Sequence, residues 1–130
     1  MVSDCPCGFT FYLRGHLHVV IAEIAESPTR VVVINLTTKR TGSDETVILK
    51  EDDHPFIKHD TAINYQDTRM FDKAQLIERL NHNFFKIGEI FSEDKVKLMQ
   101  RGLIESPFTP RDIKAICTPI LGPRDSEVES

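Results

Sequence analysis

The apolar residues of this chain change period once along its length, and that change limits what it can fold into. Up to residue 71 they come in short runs rich in β-branched side chains, broken every few positions by glycine, proline, serine or aspartate. Such runs fit strands, whose side chains alternate between two faces. Strands are predicted at 9–13, 17–25 and 30–37, with Ser27-Pro28-Thr29 turning the second into the third as an antiparallel hairpin. Thr41-Gly42-Ser43-Asp44 breaks the pattern before a short strand at 46–50. The acidic turn Glu51-Asp52-Asp53-His54-Pro55 follows, where Pro55 offers no amide to a central ladder. Two more short strands are predicted at 62–65 and 68–71.

From Asp72 the spacing becomes helical. Asp72 with Gln75 three residues later reads as a capping box, and Leu76, Ile77 and Leu80 then line one helix face. Ser92 opens a second helix, with Glu93 and Asp94 in its first turn and Val96, Met99 and Leu103 as its buried stripe. In Thr109-Pro110-Arg111-Asp112, Thr109 suits the N-cap and Pro110 the first helical position of a third helix, which buries Ile113, Ile116 and Cys117. The apolar stretch 84–91 fits either one more strand or a hydrophobic connection. From Thr118 onward proline, glycine and acids predict a frayed end. Short antiparallel strands followed by terminal helices predict an α+β fold, a small and strongly bent barrel with C-terminal helices packed on it. At 130 residues and 40% hydrophobic the chain suits one core, expected as a single domain over 1–123 with a disordered acidic tail at 124–130.

Charge and cysteine usage narrow the chemistry. A net charge of -4 argues against a strong general affinity for nucleic acid, but Arg124 against Asp125, Glu127 and Glu129 puts half of that excess in the tail. A local basic strip is compatible with RNA. No apolar run approaches the roughly 20 residues that cross a bilayer, and the N-terminal stretch is not a cationic segment leading into an apolar one, so a cytoplasmic protein without a membrane partner is expected. Three cysteines, an odd number, point to reduced thiols. Cys5-x-Cys7 followed by His16-x-His18 forms a string of metal-ligating residue types, yet its spacing matches no structural zinc pattern. No metal and no cofactor is expected, and a metal-dependent hydrolase using His16, His18 and a cysteine is a minor alternative.

The residues suited to chemistry gather in four places. Strand alternation puts His16 and His18 on one face, where two imidazoles provide acid-base groups that titrate near neutrality. Thr37-Thr38-Lys39-Arg40 ends a strand with hydroxyls to donate to a phosphoryl oxygen and cations to neutralise it. His54, before Pro55, is a second candidate proton carrier, with His59 behind it. Tyr65 and Tyr12 are candidate stacking platforms for bases. Blander accounts exist for all four: a solvated strand face, a solvated turn, a histidine that holds a turn, and tyrosines that pack. There is no glycine-rich phosphate loop, no Gly-x-Ser-x-Gly elbow and no His-Glu-x-x-His.

Taken in order, three segments resemble the PemK/MazF type of toxin over about residues 9–80. His16-Leu17-His18-Val19-Val20-Ile21 is similar to the family's strand in which an arginine precedes proline and a small apolar run. The segment from Val31 through Asn35-Leu36-Thr37-Thr38-Lys39 resembles the strand ending in a threonine-rich turn, and Val47-Ile48-Leu49 to Tyr65 resembles the following hairpin. The resemblance implies an SH3-like barrel, metal-independent cleavage of single-stranded RNA by 2′-hydroxyl attack, a homodimer, and a neutralising antitoxin as partner. Thr37 or Thr38 falls at the family's active-site threonine. His16 stands where its arginine is usual, and Asn64 where an acidic residue is usual; the Gly-Asp-Ile/Val opening is replaced by Cys7-Gly8-Phe9. On this reading His16 and His54 carry the proton transfers, Thr38 and Lys39 contact the oxyanion, and His18, Thr37, Arg40 and Tyr65 hold substrate. The departures at His16 and Asn64 favour the alternative, a non-catalytic module that binds a protein or nucleic-acid partner.

Overall fold

The apolar run from Val31 to Leu36 is too continuous for a strand with one wet face, and it becomes the strand at the centre of the molecule. The computed structural model describes residues 1–83 and 85–122. It contains β1 (Thr10–Leu13), β2 (His16–Ile24), β3 (Arg30–Thr38), β4 (Ile48–Leu49), β5 (Thr61–Ile63) and β6 (Arg69–Asp72), followed by α1 (Lys73–His82), α2 (Glu93–Glu105) and α3 (Arg111–Leu121). The fold is therefore α+β, and all the strand pairings are antiparallel.

Strand β3 is paired along both edges. β2 runs beside it from His18 opposite Asn35 to Ile24 opposite Arg30. On the other edge β6 pairs with Arg30 to Val33 and β5 with Leu36 to Thr38, one behind the other. A 3-10 turn at Tyr65–Asp67 lies between those two strands, and the Asn64 amide bonds the Asn35 carbonyl at 3.0 Å across the junction. The expected strand at 62–65 is accordingly shorter, with Tyr65 in the turn. The β1–β2 connection is the two-residue turn Arg14-Gly15, both at positive φ (54° and 80°), which matches the twist of an antiparallel hairpin. In β2 the register shifts between Val20 and Ala22. The shift leaves the Ile21 carbonyl outside the ladder, and Gln100 of α2 donates to it at 2.7 Å.

Alternation along β3 divides the core in two. Val32, Ile34 and Leu36 face a large cluster that includes Ile63, Tyr65, Met99, Leu103 and Ile113, whereas Val31 and Val33 face a smaller one with Phe11, Val20, Leu76 and Leu80 of α1. Asp72 accepts from the Gln75 amide at 3.0 Å and Ser92 from the Lys95 amide at 3.3 Å, so both helix starts lie where their caps predict. The third start is shifted. Pro110, not Thr109, is the cap residue of α3; Thr109 is buried and donates to the Leu103 carbonyl at 2.7 Å, which ties the linker back onto α2. The end predicted to fray at Thr118 is helical to Leu121. Pro119 lies in the last turn of α3, where it has no amide to donate to the Ala115 carbonyl and the ladder is one bond short. The Thr118 hydroxyl also bonds the Lys114 carbonyl at 2.6 Å. The acidic tail expected at 124–130 and residue Phe84 lie outside the described residues. Among those described, no helix is long and apolar enough to cross a membrane.

The strand order is β1-β2-β3-β5-β4 with β6 also on β3, and the two end strands, β1 and β4, are not paired with each other. The stretch expected as strand or connection fills part of that gap. It runs antiparallel along the free edge of β1, with the Tyr12 amide bonding the Lys86 carbonyl at 2.8 Å, Gly88 bonding Thr10 at 3.2 Å and Phe91 bonding Gly8 at 3.0 Å. Gly88 is required there, because a Cβ would sit 2.6 Å from the Thr10 hydroxyl oxygen. From the other side, the turn after β4 brings in His54. Its Nε2 donates to the Glu89 carbonyl at 2.7 Å, the same oxygen that receives the Thr10 hydroxyl at 2.9 Å. Nδ1 of His54 accepts from the Phe56 amide at 3.0 Å, and the ring stacks on Phe91 at 4.2 Å. Side chains, not a ladder, span the seam.

His54 is 5% exposed, and removing it takes the acceptor from the half-buried Phe56 amide and one of two donors from the Glu89 carbonyl. We expect His54→Ala to lower stability by roughly 2 kcal/mol or more. Urea denaturation of the variant checks this, and an unchanged midpoint would show that the seam holds without the imidazole.

Candidate functional site

The smaller core covers only part of its face of the sheet. Val20, Val31 and Val33 lie under α1, but the residues that continue the same alternation toward the β1–β2 turn are His18 and His16 on β2 and Asn35 and Thr37 on β3. Leu17 and Val19 point into the large cluster, so the two histidines share the opposite face, as strand geometry requires. Together with Arg14, Asp67 and Arg69 they line a cavity of about 100 Å³ whose apolar wall is Leu13, Val33 and Phe71.

Hydrogen bonding sets the state of each imidazole. Nδ1 of His16 lies 3.2 Å from the Leu36 carbonyl, and Nδ1 of His18 lies 3.1 Å from the His16 carbonyl. A carbonyl only accepts, so each Nδ1 carries the hydrogen. Neither Nε2 has a protein partner among the described residues, which leaves a lone pair on each neutral ring. His18 also stacks on Phe11 at 5.3 Å. Burial pushes its pKa below the ordinary 6.5, against the opposing pull of its bond to the His16 carbonyl. His16 is exposed.

Around the imidazoles, Asn35 donates to Asp67 Oδ2 at 2.6 Å and Arg69 reaches Asp67 Oδ1 at 3.3 Å. Both carboxylate oxygens are thus engaged. Arg14 is exposed on the positive-φ turn and has no ion-pair partner among the described residues. The sequence reading missed Arg14, Asn35, Asp67 and Arg69 as site residues. Asn35 was the available signal, a lone amide inside an apolar run, but its partners come from a turn more than thirty residues away.

The expected set is otherwise divided. Thr37, Thr38 and Arg40 line a second cavity of about 300 Å³, shared with Asp44, Asn64, Gln66 and Phe108. The Thr38 hydroxyl is bonded to Nε2 of His59 at 2.9 Å. Lys39 is exposed, bonds the Asp60 carbonyl through its amide, and lines neither cavity. His54 is not brought to His16: it sits in the seam with both ring nitrogens bonded to the backbone, and so has no position from which to move a proton. Tyr65, expected as a stacking platform, is fully buried. Its hydroxyl donates to the Met99 carbonyl at 2.8 Å, and burial pushes its pKa well above the ordinary value. Tyr12 packs edge-on against Phe56 beneath the Lys86 ammonium. Among the described residues no three His, Cys, Asp or Glu side chains are grouped to hold a metal ion, so Cys5, Cys7, His16 and His18 do not assemble into the ligand set their order suggests.

The burial of His18 has a readable consequence. Its imidazole should titrate below 6.5 in the folded protein, so the fold loses stability as pH falls from the unfolded value through that lowered one. A ring-proton NMR titration reports the midpoint directly; a value at or above 6.5 would mean that the cavity is wet enough to hold the charged ring. Comparisons of the chain with protein-family models, with curated proteins and with solved structures gave no match.

Proposed function

We propose that the chain binds single-stranded RNA at the His16–His18 cavity and cleaves it without a metal, as the resemblance to PemK/MazF toxins implies. One observation carries this reading: two imidazoles, each with Nδ1 held on a backbone carbonyl and Nε2 open, lie beside Arg14 and Arg69 in one cavity. In the reaction a 2′-hydroxyl attacks the adjacent phosphorus. Nε2 of His18, whose burial favours the neutral ring, removes the hydroxyl proton, and Nε2 of His16 delivers a proton to the departing 5′-oxygen. Arg14 and Arg69, which line the same cavity, hold the phosphate.

The assignment gives His18 the role first expected of His54, which serves the fold instead. For the architecture, the same reading is a small SH3-like barrel, supported by β5, the 3-10 turn and β6 sharing one edge of β3 and by the His54–Glu89–Thr10 seam. A homodimer and an antitoxin partner belong to this reading as well.

A non-catalytic binding module is the second reading, and Asp67 favours it. Its carboxylate in the cavity repels a phosphate and offsets Arg69.

Incubation with a mixed single-stranded RNA pool in excess chelator separates the two. Cleavage of RNA but not of a 2′-deoxy control is expected, with the rate reduced about 10²- to 10⁴-fold in His16→Ala and in His18→Ala. Equal rates in the variants would remove these histidines from the mechanism, and intact RNA throughout would favour the binding module.

A further inference from the structure

We propose that the second cavity is a nucleobase subsite, in which the ring of Phe108 stacks on one base and the Asn64 and Gln66 amides meet its edge. The inference rests on the RNA reading above and names what that site takes beyond the phosphodiester.

Phe108 is the first reason. It is 53% exposed in a linker that is otherwise pinned. The Ser106 hydroxyl donates to Asp44 at 2.6 Å and accepts from the Phe108 amide at 3.1 Å, Lys114 caps the Ser106 carbonyl at 2.7 Å, and the neighbouring Thr109 is buried against α2. A large ring is therefore held at a fixed place without being packed, and it lines the rim of a cavity. Stacking on an exposed aromatic is the usual way to grip an unpaired base.

The second reason is the set of free hydrogen-bonding groups that converge there. Among the described residues the side chains of Thr37, Arg40, Asn64 and Gln66 have no hydrogen-bond or ion-pair partner, although all four line the same space. Asp44 is different: its carboxylate is taken by Thr46 and Ser106 and shapes the wall only. A volume of about 300 Å³ is at the small end for ligand pockets and suits one planar ring better than a large ligand. Two side-chain amides offer both donors and acceptors, the combination that reads a base edge.

The third reason is spacing. Thr37 lines this cavity and Asn35 lines the histidine cavity, and two residues of strand separate them by ~7 Å. That is one nucleotide step, so a base in the subsite would belong to the nucleotide whose phosphate lies at the histidines. Phe108 thus takes the part first expected of Tyr65.

The test uses binding, so that it does not depend on cleavage. A fluorescein-labelled pool of 2′-O-methyl RNA hexamers, which lack the attacking hydroxyl, is titrated by anisotropy against the whole chain and its Phe108→Leu and Phe108→Trp variants. Phe108→Leu should weaken binding about tenfold or more, and Phe108→Trp should retain it. Equal affinity of the Leu variant, with its unfolding transition unchanged, would overturn the subsite and leave the RNA reading standing. Failure of the unaltered chain to bind the pool would overturn both.

Discussion

Everything in this molecule is arranged around a strand that has no free side. β3 is hydrogen bonded along both edges and buried on both faces over most of its length. A strand in that position has to be apolar on alternate residues in both phases, which Val31-Val32-Val33-Ile34 satisfies. It also has to end somewhere, and its end makes the site. Once α1 no longer covers the Val31/Val33 face, the next residues in phase, Asn35 and Thr37, face cavities, and antiparallel pairing brings His18 opposite Asn35. The polar face is the uncovered continuation of the α1 core.

The five histidines separate by what their nitrogens touch, not by where they fall in the chain. His54 has one nitrogen donating and one accepting, both to backbone, so its proton is fixed and its energy goes into closing the space between β1 and β4. His16 and His18 each spend one nitrogen on a carbonyl and keep the other. His59 shares its Nε2 with Thr38 at the surface, and His82 lies in the last turn of α1, where a cation suits the helix dipole. His16 and His18 combine a held ring, a second nitrogen without a partner among the described residues, and a shared cavity with Arg14 and Arg69, which is what proton transfer at a positioned group needs.

The two cavities are built by different means. The histidine cavity is sheet-borne, its rings set by strand alternation and one tight turn. The Phe108 cavity depends on a bolt between distant loops: Asp44 carries both Thr46 and Ser106, so the β3–β4 loop and the α2–α3 linker are joined through a single carboxylate. The same bolt explains why the strand expected at 46–50 is reduced to Ile48–Leu49, since Thr46 is bonded to Asp44 and not to a neighbouring strand.

Much of the local structure was legible along the chain. The change of period after residue 71, the caps at Asp72 and Ser92, and the shared face of His16 and His18 all follow from interactions between residues no more than a few positions apart. Such interactions leave a pattern that a single sequence carries. What the sequence could not carry was the pairing of distant residues: Asn35 with Asp67, His54 with Glu89, Tyr65 with Met99 and Asp44 with Ser106. Tyr65 and His54 read as surface chemistry because a ring with a polar tip looks the same in sequence whether its partner is a ligand or a buried carbonyl. Only the tertiary structure decided between them, because burial and the identity of a hydrogen-bond partner are properties of the packed chain and not of the residue.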